Sequence, residues 1–258
     1  MTAVPARVFI TGASAGIGRA LALHYASRGC QVGAIARNRA SLESLAATHP
    51  DRVRIGVADV RDADALREQA HAYLAEVGTP DMVYANAGIS VGTLTAEPTD
   101  ASVVSEVLAT NVLGLVHAFA PFIPAMRARG SGTLVGIASV AGLRGLPGAG
   151  AYSASKAAAI AYLESLRVEE RACGIRVVTI CPGYIDTAMT QGNPYPMPFL
   201  LPVEAAATRI ARAAEAGRRL AMVPWPWAFV GRAMRWTPPW LWDRLLARAG
   251  RKPRRGEH

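Results

Sequence analysis

The chain is poor in the residues that build scaffolds and metal centres. Cys30, Cys173 and Cys181 are odd in number and lack metal or redox spacing, which excludes a disulfide framework and suits ordinary buried thiols in a reducing compartment. Its histidines, at 24, 49, 71, 117 and 258, are scattered, so no metal site is expected. The start, MTAVPARVFITG, runs from Met1 into an apolar strand. It lacks the basic segment, long apolar stretch and small-residue cleavage site of a secretory signal, so the expected location is the cytoplasm. The longest charge-free apolar run of the C-terminal part, LAMVPWPWAFVG (220–231), is short of a bilayer and broken by two prolines, and no transmembrane helix is expected. Neither a repeat nor a Pro/Ser-rich linker interrupts residues 1–217, and a single domain accounts for this length.

Charge is missing from the body as well. Residues 218–258 hold ten Arg or Lys against Asp243 and Glu257, a balance of +8 in a chain whose total is +9. The body is therefore nearly neutral and shows no basic groove-reading motif, which argues against a nucleic-acid partner.

What is present is alternation. Strand-like runs at 7–12, 31–36, 52–59, 81–88, 132–139, 175–183 and 220–224 are separated by helix-length segments near 17–28, 39–48, 62–77, 99–129, 152–173 and 203–217. Strict strand–helix alternation implies right-handed crossovers and a parallel sheet covered on both faces. The expected fold is a single α/β, doubly wound Rossmann-type domain over 1–224, with a Trp/Arg-rich helical extension over 225–258. Ligands of such sheets sit at the carboxyl ends of the strands.

The first strand ends in TGASAGIG, with Gly12, Gly16 and Gly18 leading into a helix. Such glycines permit a tight turn and close approach to a pyrophosphate at a helix N-terminus, although glycine also serves ordinary turns. After the second strand, Ala36 stands where an NAD-selecting carboxylate would be, and Arg37 follows. A guanidinium there can pair with a 2′-phosphate or be a solvated surface charge; the missing acid beside the present base favours NADP(H) over NAD(H). Tyr152 and Lys156 lie four residues apart, one turn along a helix. An ammonium so placed favours phenolate and is expected to draw the tyrosine pKa down for acid/base work.

Taken in order, TGASAGIG, Asp59, ANAG (85–88), Asn111, Ser139, Tyr152-Ser-Ala-Ser-Lys156 and CPGYIDT (181–187) resemble the classical short-chain dehydrogenase/reductases over about residues 7–187. The resemblance implies a catalytic set of Asn111, Ser139, Tyr152 and Lys156. Tyr152 would exchange the substrate proton, Ser139 would hydrogen-bond the same oxygen, Lys156 would bind the nicotinamide ribose, and Asn111 would hold a relay water. It implies a cofactor set of Gly12, Ser14, Gly16, Ile17, Gly18, Arg37, Asp59, Val60, Asn86, Gly88, Tyr152, Lys156, Pro182, Gly183, Ile185 and Thr187. Asp59 would contact the adenine and Thr187 the carboxamide. Two departures are visible: Ala85 replaces the first Asn of the usual Asn-Asn-Ala-Gly, and Ala15 stands where many NADP-preferring members carry a second base.

Specificity is expected from residues 188–202, where Met197, Tyr195, Phe199 and Leu200 either line an apolar pocket or cap the core beneath a helix starting near Pro202. The expected function is an NADP(H)-dependent carbonyl reductase or alcohol dehydrogenase for a hydrophobic, lipid-like ketone or secondary alcohol. The alternative is a non-catalytic dinucleotide sensor or scaffold, against which the complete proton-transfer set argues. In the extension, TPPWLWDRLLARAG reads as a helix with Thr237 as N-cap and Gly250 as stop. Trp242, Leu245, Leu246 and Ala249 would share one side, with Arg244, Arg248 and Arg251 away from it. It would lie on an anionic membrane surface, or pack on the body or a second subunit. The resembled family commonly forms homodimers or homotetramers through the long helices.

Overall fold

The computed structural model describes residues 4–191, 193, 196–247 and 249–256. Its centre is a sheet of seven strands: β1 (Arg7–Thr11), β2 (Gln31–Ala36), β3 (Val53–Val57), β4 (Met82–Ala85), β5 (Gly132–Ile137), β6 (Ile175–Pro182) and β7 (Leu220–Val223). The order is β3-β2-β1-β4-β5-β6-β7, all parallel. The strands read as near-continuous apolar runs because both sheet faces are covered. Alternation then divides them: Val8 and Ile10 enter one core while Phe9 between them enters the other.

The first core lies under α1 (Gly16–Ala26), α2 (Arg39–Ala46) and α8 (Val203–Glu215), with Leu21, Tyr25, Leu42 and Ile210 at its centre. The second lies under α3 (Ala63–Glu76), α5 (Gly114–Phe119), α6 (Ile123–Arg129) and α7 (Gly150–Glu169), while α4 (Asp100–Leu108) packs Val103 and Val107 against Ala151 of α7. There Phe9 meets Phe122 and Tyr73 with ring centres 4.6 and 5.3 Å apart. Each such buried side chain contributes about 1.5–3 kcal/mol.

The segment expected as one helix over 99–129 is broken twice. A π-helical turn at Ala109–Leu113 joins α4 to α5. Residues 120–122 then form a turn before α6, because Pro121 has no N–H to continue the ladder. By length and composition Asp100–Arg129, 30 residues, is apolar enough to cross a membrane, which the expectation drawn from the C-terminal run did not consider. In the fold its apolar side meets the sheet through Leu115, Phe119, Phe122 and Met126.

The extension also departs from expectation. Among its described residues are two helices, α9 (Trp227–Trp236) and α10 (Pro239–Leu246). Thr237 does not cap the second; its hydroxyl donates to the Ala233 carbonyl at 2.7 Å and closes the first. The helix ends at Leu246, ahead of Gly250, and Arg248 lies outside the described residues. Leu245 is exposed and does not share the partly buried side of Trp242. The Arg-rich end is not a freely solvated face. Gly92 N–H donates to the Pro253 carbonyl at 3.0 Å, and Arg254 forks the buried Asp100 carboxylate at 2.8 and 3.0 Å. Arg254, with the Leu94 N–H, holds that carboxyl below its usual range. Of the thiols, Cys30 and Cys181 are buried and Cys173 only half-buried.

Candidate active site

The chain enters the sheet at β1, runs to one edge through β2 and β3, and returns to place β4 on the other side of β1. This reversal opens a crevice at the carboxyl ends of β1 and β4. A cavity of about 590 Å³ occupies it, extending from Gly12 and Arg37 to Lys156 and Thr190, within the range of small-molecule and cofactor sites.

Backbone chemistry shapes one end. Gly12 and Gly16 have φ of 70° and 52°, a left-handed region costly for side chains. Gly18 is needed for packing, since a Cβ there would stand 2.2 Å from the Gly12 carbonyl oxygen. α1 starts at Gly16, and its N-cap, Ala15, offers no side-chain bond, nor is there an acid in the first turn. Its first N–H groups, which a helix cannot pair internally, are therefore left for an anion. Ser14, Gly16 and Ile17 line the cavity, whereas Gly18 stands behind its wall.

Beyond β2 and β3 lie Ala36, Arg37, Asn38, Asp59 and Val60. Arg37 is 62% exposed and reaches Asp59 only at 3.6 Å, so its guanidinium is free to meet a ligand. Asp59 has a closer partner: Arg61 forks its carboxylate at 2.6 and 3.1 Å and, foremost among its neighbours, holds it below its usual range. Arg61 and the α2-capping Asn38 are not among the residues expected from the sequence, although a base two residues beyond Asp59 and an Asn before a helix are visible cues.

Asn86 acts as a latch. Its amide donates to the Thr11 and Gly12 carbonyls at 3.0 and 3.3 Å, and its own N–H donates to the Thr11 hydroxyl at 3.1 Å. It thus borders the cavity while tying β4 to the glycine turn. Gly88 leaves room for Asn111 and Lys156, whose Oδ1 and Nζ would lie 3.1 and 3.5 Å from a Cβ there. Asn111 sits in the π-helical turn, buried, donating to the Ile89 carbonyl and the Ser155 hydroxyl at 2.9 Å each and accepting the Ile89 N–H at 2.8 Å. Its side chain thereby ties the β4 loop to α7.

Ser139, Tyr152 and Lys156 converge on the opposite end of the cavity. Ser139 follows β5, accepts the Ala141 N–H at 3.1 Å and donates to the Pro182 carbonyl at 3.5 Å. Lys156 donates to the Ile137 carbonyl at 2.8 Å, and its Nζ is 5.8 Å from the Tyr152 ring centre. Burial lowers Lys156 to about 8. The tyrosine departs from expectation: burial raises its pKa, and the Ser139 hydroxyl opposes this only in part. Lys156 donates to the Ile137 carbonyl rather than to the phenol, and its charge does not offset the desolvation of the ring.

The loop after β6 closes the site. Pro182, Gly183, Ile185 and Thr187 all face the cavity. The Thr190 hydroxyl donates to the Ile185 carbonyl at 2.6 Å and accepts the Thr187 N–H at 3.1 Å, a clamp absent from the sequence reading. Of the expected substrate segment, Ala188, Met189 and Thr190 line the cavity. Phe199 does not; its ring packs on Trp227 at 6.1 Å, and it and Leu200 are exposed beside the site. Tyr195 lies outside the described residues.

Comparison with known proteins agrees with this geometry. The family model for short chain dehydrogenases matches residues 6–195. An uncharacterized oxidoreductase of Myxococcus xanthus is 39% identical over 245 residues, covering 93% of this chain and 95% of that one. The 2-(R)-hydroxypropyl-CoM dehydrogenase of Xanthobacter autotrophicus is 36% identical over 190 residues, 70% of this chain and 75% of its own. Among solved structures, a 3-ketoacyl-ACP reductase from Sinorhizobium meliloti superposes with a TM-score of 0.76 at 28% identity, covering 87% of this chain and 99% of that one. The chain belongs to the short-chain dehydrogenase family of oxidoreductases.

Proposed function

We propose that this oxidoreductase is an NADP(H)-dependent carbonyl reductase or alcohol dehydrogenase acting on a hydrophobic, lipid-like ketone or secondary alcohol. The observation that carries the reading is the convergence of Ser139, Tyr152 and Lys156 at one end of a cavity whose other end is a glycine turn and an open helix N-terminus. That turn fits a pyrophosphate, because side chains at Gly12 and Gly18 would strike backbone. Arg37, exposed and without a carboxylate at Ala36, supports a 2′-phosphate. When bound, the nicotinamide supplies the hydride.

The rest of the reaction belongs to the chain. Asp59 would border the adenine, Lys156 would hold the nicotinamide ribose, and Thr187 would hold the carboxamide in register. Ser139 and Tyr152 would share the substrate oxygen, and in reduction Tyr152 would deliver its proton to that oxygen. Its raised pKa keeps the phenol protonated and ready to donate at neutral pH. Ile89, Ile185 and Met189 give the cavity an apolar wall, which supports a hydrophobic substrate. The names of the relatives point the same way, to a secondary alcohol and a 3-ketoacyl chain.

Steady-state turnover with NADPH and NADH over panels of ketones and secondary alcohols tests the reading. NADPH is expected to be the better cofactor, and Arg37→Ala should lower its kcat/KM by about 10–100-fold, the worth of a charge-assisted hydrogen bond, while leaving NADH nearly unchanged. A wild-type preference for NADH would overturn the cofactor assignment. Tight NADPH binding without turnover of any substrate would overturn the reductase.

A further inference from the structure

A surface helix ordinarily turns one apolar side to the core and a polar side to water. α9 does not. Its inner side carries Trp227, Val230 and Met234, which pack against Ala138, Val140 and Cys181. Its outer side, with the residue pair just before it, carries Trp225, Phe229, Arg232, Ala233 and Trp236 at helical spacing, all exposed. Trp225, Phe229 and Trp236 are 68%, 63% and 85% exposed, and Trp240, four residues on at the start of α10, is 68% exposed. The Trp225 and Phe229 rings pack edge to face at 5.9 Å, so they form one apolar surface. The other two tryptophans serve the body: Trp227 is buried, and Trp242 donates its indole N–H to the Gly145 carbonyl at 3.1 Å beneath the Arg144 guanidinium.

Basic residues interleave with the exposed rings. Arg232 and Arg235 lie among them, exposed, and Arg244 follows on α10, while Asp243 is the only acid between Arg218 and Gly256. A second copy seated on this face by twofold pairing would set these arginines against their equivalents with little acid to answer them. An anionic lipid surface meets both features, since indole rings favour the headgroup boundary and arginines the lipid charge. We propose that the outer face of α9 and the start of α10 dock on an anionic lipid surface. The inner face of the same helix supports the catalytic loop: a Cβ at Gly183 would stand 2.1 Å from the Trp227 indole nitrogen. Phe199 and Leu200 lie exposed beside it. Docking therefore brings the substrate loop to the bilayer boundary, where a lipid-like substrate would enter.

Co-sedimentation of the full chain with vesicles of phosphatidylcholine alone, or mixed with phosphatidylglycerol, at low and high salt tests the proposal. Binding should favour the anionic vesicles and weaken with salt. The variant W225S/F229S/W236S/W240S and the variant R232E/R235E should each bind about tenfold or more weakly. All these side chains point away from the core, and thermal melting checks that both variants fold. Turnover of a short, water-soluble ketone should be unchanged in both, so failure to dock and failure of the reductase reading are separate results. Vesicle binding equal in wild type and variants, or no preference for anionic vesicles, would overturn the proposal. So would light scattering in which the aromatic variant dissociates an oligomer, because the face would then belong to a second copy.

Discussion

At the scale of single residues, Lys156 carries the heaviest constraint. It is buried, its ammonium has one carbonyl partner, and burial brings its pKa down to about 8. Below that pH the ammonium would hold the nicotinamide ribose as a charged donor; above it the charge is lost and that hold weakens. The pH profile of kcat/KM for ketone reduction, which reports the free enzyme, should therefore fall above about pH 8. Lys156→Met should give a lower rate without that limb, and a limb that persists in the variant would assign it to another group. Position along the sequence shows that Tyr152 and Lys156 share a helix face, and the structure brings them together. It does not show the direction of the tyrosine shift, because burial is a property of everything packed around the ring rather than of a four-residue spacing.

At the scale of elements, all seven strands and the helices between them were legible, since apolar runs punctuated by glycine and proline survive translation into a covered parallel sheet. The interruptions were less so. Pro121 announces its turn through a missing N–H, but the π-helical turn holds Asn111, whose amide bonds Ser155 44 residues away, and no local pattern announces it. Helix α9 went unread for a different reason. With aromatic residues on both sides, the periodicity that marks an amphipathic helix is erased. The glycine turn, by contrast, was legible in detail and is open to test. Gly18→Ala would force a Cβ to within 2.2 Å of the Gly12 carbonyl oxygen and 2.5 Å of the Asn86 amide. Overpacking of this kind costs about 1–3 kcal/mol. The variant should melt at lower temperature and bind NADPH more weakly in a fluorescence titration. Unchanged affinity would remove the turn from the cofactor site.

At the scale of the molecule, the chain divides its labour by charge. A nearly neutral body carries the crevice, and the last forty or so residues carry the excess of arginine. The sequence showed that division but not where the basic end goes. Arg254 closes on Asp100 across 154 residues, a pairing no local pattern announces. The extension is thus partly pinned to the body through Gly92 and Asp100, and partly turned outward through its tryptophans. The proposed chemistry at the centre is most directly tested by incubating the chain with NADPH deuterated at both C4 positions of the nicotinamide and a long-chain ketone, then analysing the alcohol by mass spectrometry. Wild type should place deuterium on the carbinol carbon, and Tyr152→Phe should slow its appearance by about 100-fold to 10,000-fold, the usual worth of a positioned proton donor. Alcohol without label, or labelled alcohol formed at the wild-type rate by Tyr152→Phe, would contradict hydride reduction with Tyr152 as the proton donor.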